Sequence, residues 1–235
     1  MDQLFNSNKF STLFSFKGGT SLSKVYHLIN RFSEDIDLIL DWRVLGYEID
    51  EPWKERSNTQ QNKFNKEANA RTVEIIKGKF VPVFFEQLSS QLDEEVFLRT
   101  DNEQNVHISF PKCFNDYYIL PEIRLEIGPL AAWPPSKKQE IQPYAASYFP
   151  KVFKHPKTLV PTISAERTFW EKTTILHQEA HRDISKTPPS RHSRHYYDLH
   201  VMPNSAIKES ALNNRYLLDE VVSFKKRFYR CPWAR

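Results

Sequence analysis

Two adjacent glycines, Gly18 and Gly19, do most to constrain what this chain can become. The chain holds only five glycines, so a pair at one turn is informative. Residues 11–17 (STLFSFK) alternate in the manner of a short strand. Leu22, Val25, Tyr26, Leu28 and Ile29 then recur at helical spacing, which predicts a helix from 20 to about 31. Glycine between two such elements allows a sharp bend and lets a ligand approach the backbone. The first turn of the following helix offers free N–H groups and a positive dipole end to an anion. Thr20 and Ser21 place hydroxyl donors at the same spot. An ordinary strand-to-helix turn would carry the same glycines, so a second signal is needed.

That signal follows one helix later, at Ser33, Glu34, Asp35, Ile36 and Asp37. On a strand, Asp35 and Asp37 share one face, and Ile36, Leu38 and Leu40 supply the opposite, buried face. Two carboxylates so placed repel each other, and hard oxygen ligands on a rigid strand suit Mg²⁺, which commonly bridges protein carboxylates and substrate phosphates. A third carboxylate would complete a two-metal site. Glu122, Arg124 and Glu126 alternate along 121–127, with Ile123, Leu125 and Ile127 expected to face inward. Glu126 is the preferred third ligand. Glu122 is its rival, with Arg124 as a neutralising neighbour.

The remainder predicts an α+β fold. Residues 41–59 read as a polar loop. Residues 60–92 read as helix, kinked or split at Pro82. Strands are expected at 96–99, 106–110 and 118–128. Residues 129–161 look irregular, rich in proline and aromatics, with Lys137, Lys138, Lys151, Lys154 and Lys157. A helix over 164–181 has Ser164 as N-cap, a basic loop spans 182–193, and further helices are expected at 194–201 and 212–228. A mixed sheet in residues 1–155 and a helical lobe in 156–235 is the expected division.

Lys and Arg total 33 against 29 Asp and Glu, a net charge of +4. That balance permits a nucleic-acid partner without demanding one. Every apolar run is short and broken by charge, which excludes a membrane-spanning helix. Cys113 and Cys231 are too few for a disulfide framework or a metal cluster and fit a reducing cytoplasm. The first ten residues lack a signal-peptide pattern. His177 and His181 are four apart, but Glu179 is misplaced for a zincin helix, so a solvated helix end is the better assignment. Two basic stretches remain. Arg191, Arg194 and His195 precede Tyr196 and Tyr197, and Lys225, Lys226 and Arg227 interleave with Phe224, Phe228 and Tyr229. Either suits a phosphate backbone with stacked bases, and either also suits a solvated face.

Together these segments resemble a family. Residues 16–24 (FKGGTSLSK) and 31–38 (RFSEDIDL) are similar to the signature of the AbiEii/AbiGii toxins, nucleotidyltransferases of DNA polymerase β type. The resemblance continues through 122–128 (EIRLEIG), 166–172 (ERTFWEK) and 191–199 (RHSRHYYDL). It implies a polymerase-β-type core and a toxin of a two-gene toxin–antitoxin or abortive-infection system. Related MenT-type toxins transfer nucleotides from an NTP to the 3′ end of tRNA, and the usual antitoxin is a separate protein. By position, Asp35 and Asp37 match the family's metal pair, Ser33 the preceding serine and Glu126 the third carboxylate, commonly Asp. Lys172 matches the lysine that meets the triphosphate, and Asp198 the late aspartate of the active site. Gly18, Gly19, Thr20 and Ser21 would then cradle the NTP phosphates. The chain departs from the family in having few residues ahead of the first strand.

Two other readings stay open at this level. The same chemistry could serve a protein or a small-molecule acceptor, or the chain could be an inert module that binds RNA or a partner.

Overall fold

The computed structural model describes residues 1–6, 11–33, 35–101, 103–112, 121–130, 136–153 and 155–234. Glu34, Cys113, Lys154, Arg235 and the expected strand residues 118–120 lie outside these.

In chain order the elements are α1 (Asp2–Phe5), β1 (Phe14–Lys17), α2 (Gly18–Lys24), β2 (Asp35–Leu40), α3 (Asn58–Ile75), α4 (Val81–Ser89), β3 (Phe97–Thr100), β4 (Asn105–Ser109) and β5 (Glu122–Gly128). They continue with β6 (Lys137–Ile141), α5 (Tyr144–Tyr148), β7 (Thr158–Thr162), α6 (Ala165–Ala180), α7 (Ser193–Val201), α8 (Ile207–Asn213) and α9 (Arg215–Phe228). The strands form one mixed sheet in the order β3-β4-β5-β2-β1-β7-β6. β2 is antiparallel to β1 and parallel to β5.

Alternation along these strands divides the sheet into two unlike faces. Phe14, Phe16, Leu38, Leu40, Val106, Leu125, Ile127 and Val160 lie on the apolar face, where they join Phe64, Ala68, Ile76, Phe80, Phe84 and Leu88 in the main core. The opposite face carries Lys17, Asp35, Asp37, Arg124 and Glu126, with β1–β2 pairing Lys17 with Asp37 and β2–β5 pairing Asp37 with Glu126. The expected inward set needs one correction. Ile123 is 38% exposed, because the start of β5 runs beyond the core, and Ile36 is only partly buried.

α3 and α4 are separated by a π-helical turn over Ile76–Phe80, with Pro82 in the first turn of α4. Pro82 has no N–H for the continuing ladder, which places the break where the sequence predicts it. Ser57 and Gln60 form a capping box that starts α3 at Asn58. The expected polar loop 41–59 holds two short 3₁₀ turns, Trp42–Leu45 and Glu51–Trp53.

The stretch 129–161 is more ordered than its composition suggests. It contains β6, α5 and most of β7. β7 also carries the sheet past the expected boundary at 155, since Thr162 pairs with Phe16 of β1. The helical part therefore begins at α6. α2 is shorter than expected and ends at Lys24, and a one-turn helix, α1, precedes β1. Among the described residues no helix is long and apolar enough to cross a membrane.

Candidate active site

Gly18 turns the chain from β1 into α2 with a left-handed backbone, φ 76°. A Cβ built there would fall 1.9 Å from Oδ2 of Asp37, so the carboxylate packs directly on the glycine backbone. At Gly19 a Cβ would meet Nη2 of Arg31 at 2.7 Å and Oγ of Ser33 at 3.1 Å. The two glycines thus make room for the acidic pair on one side and for Arg31 and Ser33 on the other.

The expected acidic group assembles by strand register. Asp37 stands beside Glu126, and Asp35 beside Arg124. Arg124 Nη2 lies 2.8 Å from Oδ1 of Asp35 and 2.8 Å from Oε1 of Glu126, bridging the two. Glu122 has a different environment. It bonds Arg99 at 2.9 Å and Nδ1 of His107 at 2.6 Å, so Arg99 is its neutralising partner and Arg124 is not. The Asp37 carboxylate makes no side-chain hydrogen bond or close ion pair among the described residues. Burial, with Glu126 and Asp35 nearby, pushes its pKa up to about 6, although Lys17 and Lys172 pull the other way.

These residues line a cleft of about 150 Å³ whose opposite wall comes from α6 and α7. Lys17, Gly18, Gly19, Arg31, Ser33, Asp35, Asp37 and Glu126 face Thr168, Glu171, Lys172, Ile175, Arg194 and His195. α6 is aimed by its cap, with Ser164 Oγ accepting from the Arg167 N–H at 3.3 Å. Lys172 is almost fully buried, its Nζ 2.7 Å from Oδ2 of Asp198 and 3.5 Å from Nδ1 of His195. Burial and the neighbouring Lys172, Arg194 and His192 lower the His195 pKa to about 4, so its ring is neutral at physiological pH. Burial opposes the charge of Lys17, but Glu171 and Asp37 hold its ammonium above the usual lysine range.

Several expected site residues are placed differently from the rest. The Thr20 hydroxyl donates to the Asp35 carbonyl and Ser21 to the Gly18 carbonyl, at 2.8 Å for the latter. Both are buried and hold the turn instead of lining the cleft. Asp198 does not line it either. It is fully buried and binds Arg31 through Nε at 2.7 Å and Nη2 at 2.8 Å, so it acts through Arg31 and Lys172. The basic cluster on α9 divides. Lys225 turns inward and its Nζ donates to the Glu171 carbonyl at 3.1 Å. Lys226 and Arg227 line a separate surface groove of about 600 Å³ with Arg56 and Arg230. Arg191 is exposed, with a left-handed φ of 66°, and does not line the cleft, whereas Arg194 and His195 do.

Lys17, Arg31 and Glu171 enter the cleft without having been singled out in the sequence. Their signal was adjacency: Lys17 precedes the glycine pair, Arg31 precedes Ser33, and Glu171 precedes Lys172.

The donor set suits a divalent cation. Asp35, Asp37 and Glu126 are hard oxygen ligands on neighbouring strands, and Asp37 carries negative charge that no basic group compensates by contact. Arg124 presently occupies the space between Asp35 and Glu126, and no three carboxylates converge at ligand distance among the described residues. The Arg124 side chain is 36% exposed and has a path outward.

No curated protein matches the chain. Among solved structures it is similar to MenT4, a nucleotidyltransferase toxin from Mycobacterium tuberculosis H37Rv, at 13% identity and a TM-score of 0.41, over 97% of this chain and 90% of that one. The family model "Nucleotidyl transferase AbiEii toxin, Type IV TA system" matches residues 1–234. An acidic strand pair, a glycine bend beneath it and a cationic helix opposite are thus found in a chain that belongs to the AbiEii family of nucleotidyltransferase toxins of type IV toxin–antitoxin systems.

Proposed function

We propose that this nucleotidyltransferase toxin transfers a nucleoside monophosphate from an NTP to an RNA acceptor, the 3′ end of tRNA, with release of pyrophosphate. The observation that carries this reading is the division of the cleft. One wall holds Asp35, Asp37 and Glu126 with Arg31 at their edge, and the other holds Lys172 and Arg194 beside Glu171. A triphosphate needs a cationic wall for its oxygens, and Mg²⁺ needs the acidic one.

Asp35, Asp37 and Glu126 would hold the pair of Mg²⁺ ions expected for this chemistry. When bound, that metal supplies a lowered pKa at the acceptor hydroxyl and charge neutralisation on the leaving pyrophosphate. Gly18 and Gly19 let Asp37, Arg31 and Ser33 close on the bend where the phosphates would lie, and Ser33 contributes a hydroxyl beside them. Lys172, Arg31 and Arg194 stabilise the negative charge that builds up during transfer. Asp198 keeps Arg31 and Lys172 in position. Neutral His195 offers a ring nitrogen without adding charge. The groove carrying Arg56, Lys226, Arg227 and Arg230 supports a polyanionic acceptor larger than a small molecule. A cognate antitoxin completes the system.

Incubation of the protein with each labelled NTP, Mg²⁺ and total cellular RNA tests the reading. Labelled tRNA from the parent protein and none from Asp35→Ala or Asp37→Ala is the expected result. Equal labelling by either variant would overturn the site. Label on protein or on a small molecule alone would move the acceptor.

A further inference from the structure

Lys17, Glu171 and Ile175 line the catalytic cleft and also a second chamber of about 300 Å³ behind it. This chamber is enclosed by α6, α9 and the segment after β5. Leu130, Ile175, Val221 and Phe224 give it apolar walls. Its polar residues, Lys17, Arg167, Glu171, Gln178, Lys225 and Tyr229, expose little polar surface and are mostly donors. Arg167 is 2% exposed. Its Nε bonds Glu171 at 3.2 Å and its Nη1 stands 4.0 Å from Glu220, but its Nη2 has no hydrogen-bond partner among the described residues. Lys225 uses one donor on the Glu171 carbonyl and has two more. Gln178 adds an amide. The Tyr229 hydroxyl is already committed, donating to the Leu130 carbonyl at 2.6 Å.

A buried guanidinium nitrogen without a partner is costly, and such groups in a native structure call for an explanation. Apolar side chains would fill the same space more stably, so retention of Arg167 and Lys225 in an apolar chamber points to a ligand. The chamber suits a flat, largely apolar molecule with acceptors on one edge. It does not suit a phosphate, since apolar walls dominate and Glu171 lies within it.

We propose that this chamber receives the base of the incoming nucleotide, with Arg167, Lys225 and Gln178 reading its acceptor edge. This rests on the nucleotidyltransferase reading of the adjoining cleft, where the triphosphate of the same molecule would lie. Lys17 and Glu171 stand at the junction of the two compartments. Donors on Arg and Lys match a ring carbonyl oxygen, so guanine, cytosine or uracil, which each carry one, is preferred over adenine, which carries none.

The test is calorimetric titration of the full chain, in Mg²⁺ and without acceptor, with each of the four NTPs and with inorganic tripolyphosphate. The parent protein should bind a carbonyl-bearing NTP tighter than ATP and tighter than tripolyphosphate. Lys225→Met should weaken the preferred NTP roughly tenfold, the scale of one lost hydrogen bond to a charged group, and leave tripolyphosphate unchanged. Val221→Phe, which fills the chamber, should do the same by a different route. The proposal is overturned if both variants bind every NTP like the parent. It is also overturned if they weaken only a short single-stranded RNA ending in the acceptor, which would assign the chamber to the acceptor base. If the parent binds none of the five probes, the reading of the cleft itself fails, and the chamber's role with it.

Discussion

Lys172 reaches the cleft with its Nζ 2.7 Å from Oδ2 of Asp198, a carboxylate with no solvent exposure. Arg31 closes on the other side of the same group with two further bonds. Despite burial, those bonds and charges hold the Asp198 carboxyl below the usual aspartate range. Asp198→Asn leaves two cations facing a neutral amide. A loss of about 3 kcal/mol is expected, as for a broken buried ion pair, read from the urea midpoint. A group with a lowered folded pKa stabilises fully above its unfolded value, 3.8, and that contribution is lost as pH falls below it. The acid limb of the parent's stability curve should therefore be shallower in the variant, with the remainder carried by Asp101 and Glu122.

Asp37 has the opposite sign. Its folded pKa of about 6 exceeds the unfolded 3.8. Stability should therefore fall as pH rises from about 4 to 6, and the full penalty should persist above. The shift caps the effect near ~3 kcal/mol, and solvent at the mouth of the cleft reduces it to about 1–2 kcal/mol. Asp37→Asn should be more stable than the parent at pH 8 by that amount while losing nucleotide transfer. Thermal melts across pH, with and without Mg²⁺, check this. Mg²⁺ should raise the parent's Tm and leave the variant's unchanged.

Gly18→Ala and Gly19→Ala should differ sharply. The first combines a left-handed φ with a Cβ inside the Asp37 carboxylate. The strain alone is worth about 1 kcal/mol, and the displaced Asp37 should abolish transfer. The second presses on the end of the Arg31 side chain, which can give way, so weakened NTP binding with a near-normal Tm is expected.

Ser164→Ala removes the cap from α6, the helix that carries Arg167, Glu171 and Lys172. A loss of about 1 kcal/mol is expected from the denaturation midpoint, with a raised KM for NTP.

Most of the catalytic half was legible in the sequence, because a strand, a glycine bend, a helix and a second strand each leave a local pattern. Alternation put Asp35 and Asp37 on one face and left Glu122 and Glu126 as candidates beside them; the register of β2 on β5 sets Glu126 next to Asp37. The course of residues 25–33 was not legible. Helical spacing runs on to 29, yet α2 stops at Lys24 and His27 takes a φ of 51°. The irregular course leads to Arg31 and Ser33 at the cleft, a tertiary demand that local propensity does not record. The hydroxyls of Thr20 and Ser21 were misjudged for a similar reason: their nearest acceptors are carbonyls of the turn they build. β7 was obscured by Pro161, which reads as a strand breaker. It is tolerated because the pairing of β7 with β1 is confined to Phe16 and Thr162. The split of Lys225 from Lys226 and Arg227 is a matter of helix rotation, invisible in a run of like charges.

The position of β7 determines how the molecule can be divided. Among the described residues it is the one strand between β1 and β6, and it leads directly into α6. A fragment ending at residue 155 would strip β6 of its sole neighbour and leave one border of β1 bare, an invitation to intermolecular strand pairing. An N-terminal piece carrying every acidic ligand should therefore precipitate when expressed alone. A split version of this toxin keeps β1 covered when its cut falls after Thr162, or when a second half carrying Thr158–Thr162 is supplied together with the first.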